Sequence, residues 1–223
     1  MFKQEYHYLI AALPDLALER DVKNFDLKAL VDEIFEHTAK RDHRPIRELF
    51  STKFVEKSPD VQQSRENWQH FYEEIERTSK NKFIRSWFRF DQLLRNIQSA
   101  WLCRKLDLSV QEQLVGCAED IAYFVKNNLP DFGLKREITL GEQIFNLLDE
   151  KMDMLEREFR FDQIRWQMAD ELTTFNYFDI DKVLAYLAKA EILDRWLKLD
   201  KEYGAVLFDG FVKTLVEQKN INL

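Results

Sequence analysis

Two sets of acids and imidazoles in this chain have the residue types that hold metal ions: Glu33, Glu36 and His37, and then His70, Glu73 and Glu74. A di-iron bundle needs Glu-x-x-His on two of its helices. Here Glu33 and His37 stand four apart, and His70 precedes Glu73. Solvated polar helix faces account for both sets, and no metal site is expected. Nucleophilic catalysis fares no better, because the 4 histidines (His7, His37, His43 and His70) lie in the first third of the chain, beside no suitable Ser or Cys. Gly116, Gly133, Gly141, Gly204 and Gly210 are too scattered for a phosphate-cradling loop. Cys103 and Cys117 are too far apart for a Cys-x-x-Cys motif. Both are expected to be buried thiols in a reducing compartment. An acid–base pair among the 40 acidic residues has no sequence signature. The residues describe a protein that is not an enzyme and carries no cofactor.

Charge is the most asymmetric feature. Eight basic residues stand between Arg77 and Lys105 against Asp91 alone, whereas Leu106 to Asp162 holds thirteen acids and six bases. The two stretches are of opposite sign and suited to face each other. Alternatively, the basic stretch, interleaved with Phe83, Trp87 and Phe88, could grip RNA phosphates and stack bases. Helical spacing favours placing those rings in the core, with Arg85 and Arg89 on a partner-facing side. Phe175, Tyr177 and Phe178 form an aromatic knot at a helix break, which either seals the junction or, if exposed, anchors an interface. The net charge of −7 argues against bulk nucleic-acid binding and against an anionic membrane surface.

Helices must position all of these groups. Only 5 Gly and 4 Pro occur among 223 residues, 45% of which are hydrophobic, a balance that suits long helices and a sizeable core. An all-α bundle of two packed lobes is expected, 1–130 and 131–223, divided at the break Asn128-Leu-Pro-Asp-Phe-Gly133, with one continuous domain as the alternative. The run from Tyr6 to Leu13 is too short for its class to be read. Asp26 caps a helix, Pro45 opens a short one, and Ser58-Pro59 starts a third with Pro at its first position. A helix from Lys80 to about Lys105 carries Phe83, Ile84, Trp87, Phe90, Leu94, Ile97 and Trp101 on one face. Ser109-Val-Gln-Glu112 reads as a capping box for a helix to about Asn127, and Thr139-Leu-Gly-Glu142 as a second. From there one long helix should reach Leu172. Asp179 or Asp181 caps the next, and a last helix runs from Ala205 to about Gln218.

Within these helices Phe88-Arg-Phe-Asp-Gln92 returns as Phe159-Arg-Phe-Asp-Gln163. At that offset Phe83 matches Met154, Ile84 matches Leu155, Leu93 matches Ile164 and Ile97 matches Met168, which suggests an internal repeat or two amphipathic helices with similar faces. The start of the chain lacks a basic region followed by an apolar one, and no run approaches the roughly 20 apolar residues of a membrane span. A cytosolic, soluble protein is expected.

Tyr8-Leu-Ile-Ala-Ala-Leu-Pro-Asp-Leu16, Arg95-Asn-Ile97 followed by Arg104-Lys105, and Asp170-Glu-Leu-Thr-Thr-Phe-Asn-Tyr-Phe-Asp-Ile180 with Leu184-Ala-Tyr186 and Ile192-Leu-Asp-Arg-Trp196 resemble a bacterial family encoded alongside V-type ATPase subunits. That family is in turn similar to the C-type subunit of V-type ATPases, the counterpart of the eukaryotic d-type subunit. Asp91, Asn96-Ile97 and Arg104-Lys105 resemble residues along one helix of that protein, although here Arg and Lys are adjacent. The resemblance implies an all-helical, non-catalytic socket that couples the central shaft to the membrane ring of a proton- or sodium-transporting complex. Its partners would be the shaft and ring subunits, and its location cytoplasmic, peripheral to the inner membrane. The C-type socket has three helical lobes, and this chain is long enough for about two.

Overall fold

A computed structural model describes residues 5–18 and 25–199. Nine α-helices and two short 3-10 segments make up the described residues, without a strand: α1 His7–Ala12, α2 Leu27–His37, α3 His43–Leu49, α4 Val61–Thr78, α5 Lys82–Lys105, α6 Ala118–Lys126, α7 Gly141–Asp149, α8 Met154–Glu171 and α9 Ile180–Lys198. The fold is all-α. No described helix is long and apolar enough to cross a membrane. The expected helix 205–218 lies outside the described residues.

Polar side chains at the helix starts explain where the elements begin. Asp26 accepts from the backbone N–H groups of Lys28 and Ala29, Asn81 from that of Ile84, and Asp179 from those of Asp181 and Lys182. Each satisfies donors that the first turn leaves open. The third helix starts two residues later than Ser58-Pro59 implied. Asp60 caps α4, and the Ser58 hydroxyl accepts from the Asp60 N–H.

Neither expected capping box forms. Residues 109–117 are irregular because the core claims their backbone: Asn96, buried in α5, donates to the Val115 carbonyl at 2.6 Å and accepts from its N–H at 3.0 Å. Gly116 follows at φ +136°, a conformation that stops any helix. The helix therefore starts only at Ala118. Before α7 it is Leu140, in a left-handed conformation at φ 62°, that occupies the cap position, with no side-chain bond from Thr139. The long helix to Leu172 is also two helices. Asp153 accepts from the Glu156 N–H at 2.8 Å and starts α8 afresh after the turn at 150–153.

α5 is the central element, about 36 Å long at 1.5 Å per residue. It packs against α3, α4, α8 and α9, and α9 in turn against α2, α3, α5 and α8. Phe83, Ile84, Phe88, Leu94 and Ile97 of α5 are buried in one contiguous core with Ile34, Ile46, Phe161 and Leu184. Burial of each such side chain contributes about 1.5–3 kcal/mol. Helices on both sides of residue 130 share this core. The break at 128–133 is itself packed into it: Phe132 is fully buried, and the Arg104 guanidinium lies 3.9 Å over its ring while donating to the Leu129 carbonyl at 2.7 Å.

Candidate interaction surface

The turn between α8 and α9 leaves its rings in solvent. The side chains of Thr173, Thr174 and Asn176 are bonded within the turn and its flanking helices. The Thr173 hydroxyl donates to the Ala169 carbonyl at 2.9 Å, and the Thr174 hydroxyl to that of Asp170 at 3.2 Å. The Asn176 amide donates to the Asp179 carboxylate at 2.6 Å, and that carboxylate caps α9. Phe175 and Tyr177 consequently project outward, 87% and 65% exposed, with Phe178 at 43%. The amino-terminal segment buttresses this turn. The Tyr6 N–H donates to the Phe178 carbonyl at 2.6 Å, and the His7 ring lies 3.9 Å from the Phe178 ring. Tyr8, next to His7 in α1, is 94% exposed and adds another ring to the surface at this end of α1. The exposed alternative for the knot is the one observed, and Tyr8 is the member that sequence reasoning missed.

The start of α5 is tied to the start of α9, where Asn81 donates to the Asp181 carboxylate at 2.8 Å. One turn on, Arg85 is half-buried and donates to the Ser79 carbonyl at 3.5 Å. Arg89 is exposed and paired with Glu76 at 2.7 Å. Arg85 and Arg89, four residues apart, share a face of α5 that lines a groove with α4 and α6, and Phe175, Tyr177 and Phe178 form a separate group.

A second constellation is centred on two buried aspartates, with Arg195 reaching in from the surface. Asp91, from the first Phe-Arg-Phe-Asp-Gln segment, accepts from the Tyr72 hydroxyl at 2.7 Å and pairs with Arg95 at 3.0 Å and Arg165 at 3.4 Å. Asp162, from the second segment, is fully buried; it pairs with Arg165 at 3.1 Å and Arg195, and accepts from the Trp196 indole at 2.7 Å. Arg165 thus bridges the two repeated aspartates and ties α5 to α8, while Arg195 extends the network to α9. Arg95 also lies 3.9 Å over the Trp68 ring of α4. Burial alone would raise the Asp91 carboxyl pKa, but the guanidinium groups of Arg95 and Arg165 outweigh it and hold the carboxyl below the usual range. Burial and the Asp91 charge push the Tyr72 phenol upward. All of these groups are locked to one another, so the network's task is to fix helix positions rather than to move protons. The sequence signal for it is an acid inside each aromatic pentapeptide followed by Arg three or four residues on.

The matched positions of the two segments behave alike only in part. Ile97 and Met168 are both buried, but Phe83 and Ile84 are buried where Met154 and Leu155 are exposed. Of the rings in the basic stretch, Phe83, Trp87 and Phe88 all lie in the core, leaving none of the three to stack a base. Cys103 is buried as expected; Cys117 is not. Its place just after the turn at Gly116 brings it to the surface. The acids and imidazoles at 33, 36, 37, 70, 73 and 74 lie on exposed helix faces, and no three His, Cys, Asp or Glu among the described residues are grouped to hold a metal ion.

A family model described as a protein of unknown function, DUF2764, matches residues 50–219. The chain belongs to the DUF2764 family. No curated protein and no solved structure matches it. The family match takes in the internal charge network, the arginines of α5 and the ring-bearing turn, and begins after α1 to α3.

Proposed function

We propose that this DUF2764 protein is a non-catalytic component or accessory of a rotary V-type ATPase, meeting its partners through the aromatic corner formed by Tyr8, Phe175, Tyr177 and Phe178. The observation that carries the reading is that corner. Phe175, Tyr177 and Phe178 stand on a turn braced by hydrogen bonds of Thr173, Thr174 and Asn176, and Tyr8 is exposed on the α1 segment that packs against Phe178. Exposed rings on a braced base are the side chains that dominate protein–protein interfaces. The resemblance to the family encoded beside V-type ATPase subunits names the partner. Central-shaft and membrane-ring subunits would bind the corner, with Arg85 and Arg89 supplying charge that orients the contact.

Stiffness suits this role. A helix pair tied by two buried aspartates and a shared arginine transmits force with little deformation, because close-packed interiors resist shear. Affinity capture of the chain under mild salt from a host that carries the complex, with partners identified by mass spectrometry, tests the proposal. Shaft or ring subunits should be recovered with the native chain and lost with Phe175→Ala/Tyr177→Ala. Recovery of RNA or ribosomal proteins without any ATPase component would overturn it.

A further inference from the structure

A groove of about 850 Å³ lies between α4, α5, α6 and the 134–138 turn. Its walls include Leu93, Leu134 and Ile138, each only half-buried, and the exposed ring of Tyr123. Charge is unevenly distributed along it. α4 and α5 run antiparallel, as the pairs Tyr72–Asp91 and Glu76–Arg89 require, so Arg77, Arg85 and Arg89 gather at the end nearest their connection. Towards the other end the Gln69 carboxamide is bonded to Gly116, Glu73 lies one turn along α4, and Asp120 lies beside Gly116. Glu76 is paired with Arg89, whereas Arg77 and Arg85 make no ion pair among the described residues.

We infer that this groove docks an amphipathic helix of a partner protein, its apolar stripe on Leu93, Leu134 and Ile138, with acidic residues at the Arg77/Arg85 end and basic residues at the Glu73/Asp120 end. The described chain offers no sheet edge to which an extended peptide could add, and the partly open walls are mainly aliphatic rather than the aromatic ladder that polyproline segments use. Helix-in-groove is the recognition mode that remains. Opposite charges at the two ends then set the direction of the bound helix and reject the reversed one. This inference does not rest on the ATPase reading. Arg85 and Arg89 belong to both readings, but the groove's apolar wall is distinct from the aromatic corner and the probe is a synthetic peptide, so either can fail alone.

The test uses the full chain and three synthetic helical peptides of roughly 18 residues, with leucines at i, i+3, i+4 and i+7. One carries glutamates in its first turn and lysines in its last, the second has the reverse order, and the third is a scramble of the first. Fluorescence anisotropy should show both ordered peptides bound, each in the direction that pairs its charged ends, at least about tenfold more tightly than the scramble. Arg77→Glu/Arg85→Glu should remove that advantage, and Ile138→Lys should remove binding of both ordered peptides while the variants keep the native melting temperature. Equal affinity for all three peptides would overturn the inference. So would binding of a single-stranded RNA oligonucleotide, sensitive to Arg77→Glu/Arg85→Glu, with no peptide bound.

Discussion

At the scale of single residues, the two aspartates of the repeated pentapeptide decide how α5, α8 and α9 sit. Removing one partner of a buried ion pair leaves an uncompensated charge and costs about 3–5 kcal/mol. Asp162→Asn should lose stability of that order in urea titrations because Asp162 is fully buried against Arg165 and Arg195. Arg89→Ala, which breaks an exposed pair with Glu76, should cost no more than about 1 kcal/mol. The Asp91 carboxyl is held below its unfolded value, so its contribution is fully present above about pH 4 and is lost as pH falls through the folded value. Stability measured against pH should therefore fall less steeply on the acid side for Asp91→Asn than for the native chain. Gly116 is the other sensitive position. A Cβ there would lie 2.8 Å from the Gln92 amide nitrogen on a backbone at φ +136°, so Gly116→Ala should cost roughly 1–3 kcal/mol in the same titrations. The pentapeptide was visible in the sequence as a repeat, and Asp91 as the one acid of the basic stretch, with nothing to mark either aspartate as buried. Arg95 and Arg165 follow their aspartates by four and three residues, a local pattern, but the Asp91–Arg165 bridge and the Arg195 contact join different helices, which no local pattern encodes.

At the scale of elements, the sequence was most informative where a single side chain fixes a boundary. Asp26 and Asp179 cap the helices that their positions implied, because an acid that bonds two backbone N–H groups needs only its neighbours. The two Ser/Thr-x-x-Glu patterns failed for a tertiary reason. Asn96 takes hold of Val115 from across the core, and Leu140 adopts a left-handed turn before α7. Periodicity likewise ran through residues 150–153, because apolar spacing continues from α7 into α8 although the backbone does not. Asp153 secures the second start. Asp153→Ala should cost about 1 kcal/mol, read as a lower melting temperature and faster hydrogen exchange in the first turn of α8. The aromatic turn was legible as a helix break with three rings. Its exposure was not, because exposure depends on α1 lying against Phe178 and leaving Phe175 and Tyr177 uncovered.

At the scale of the whole molecule, a single core shared by helices from both ends of the described chain supports one prominent aromatic corner and one charged groove. All-α class followed from the scarcity of Gly and Pro and from the spacing of apolar residues. The packing of both expected halves onto α5 did not, since pairing between distant helices leaves no trace in a single sequence. The claim that joins fold to function is that the corner is a contact to the rotary ATPase. Its most direct test is the affinity of the purified chain for the isolated complex, measured by interferometry for the native protein and for Phe175→Ala/Tyr177→Ala, with melting temperatures matched. Truncating an interface hot spot costs about 2 kcal/mol or more, so the double variant should bind at least about 30-fold more weakly. Equal affinities for the two proteins, or no binding by the native chain, would contradict the account.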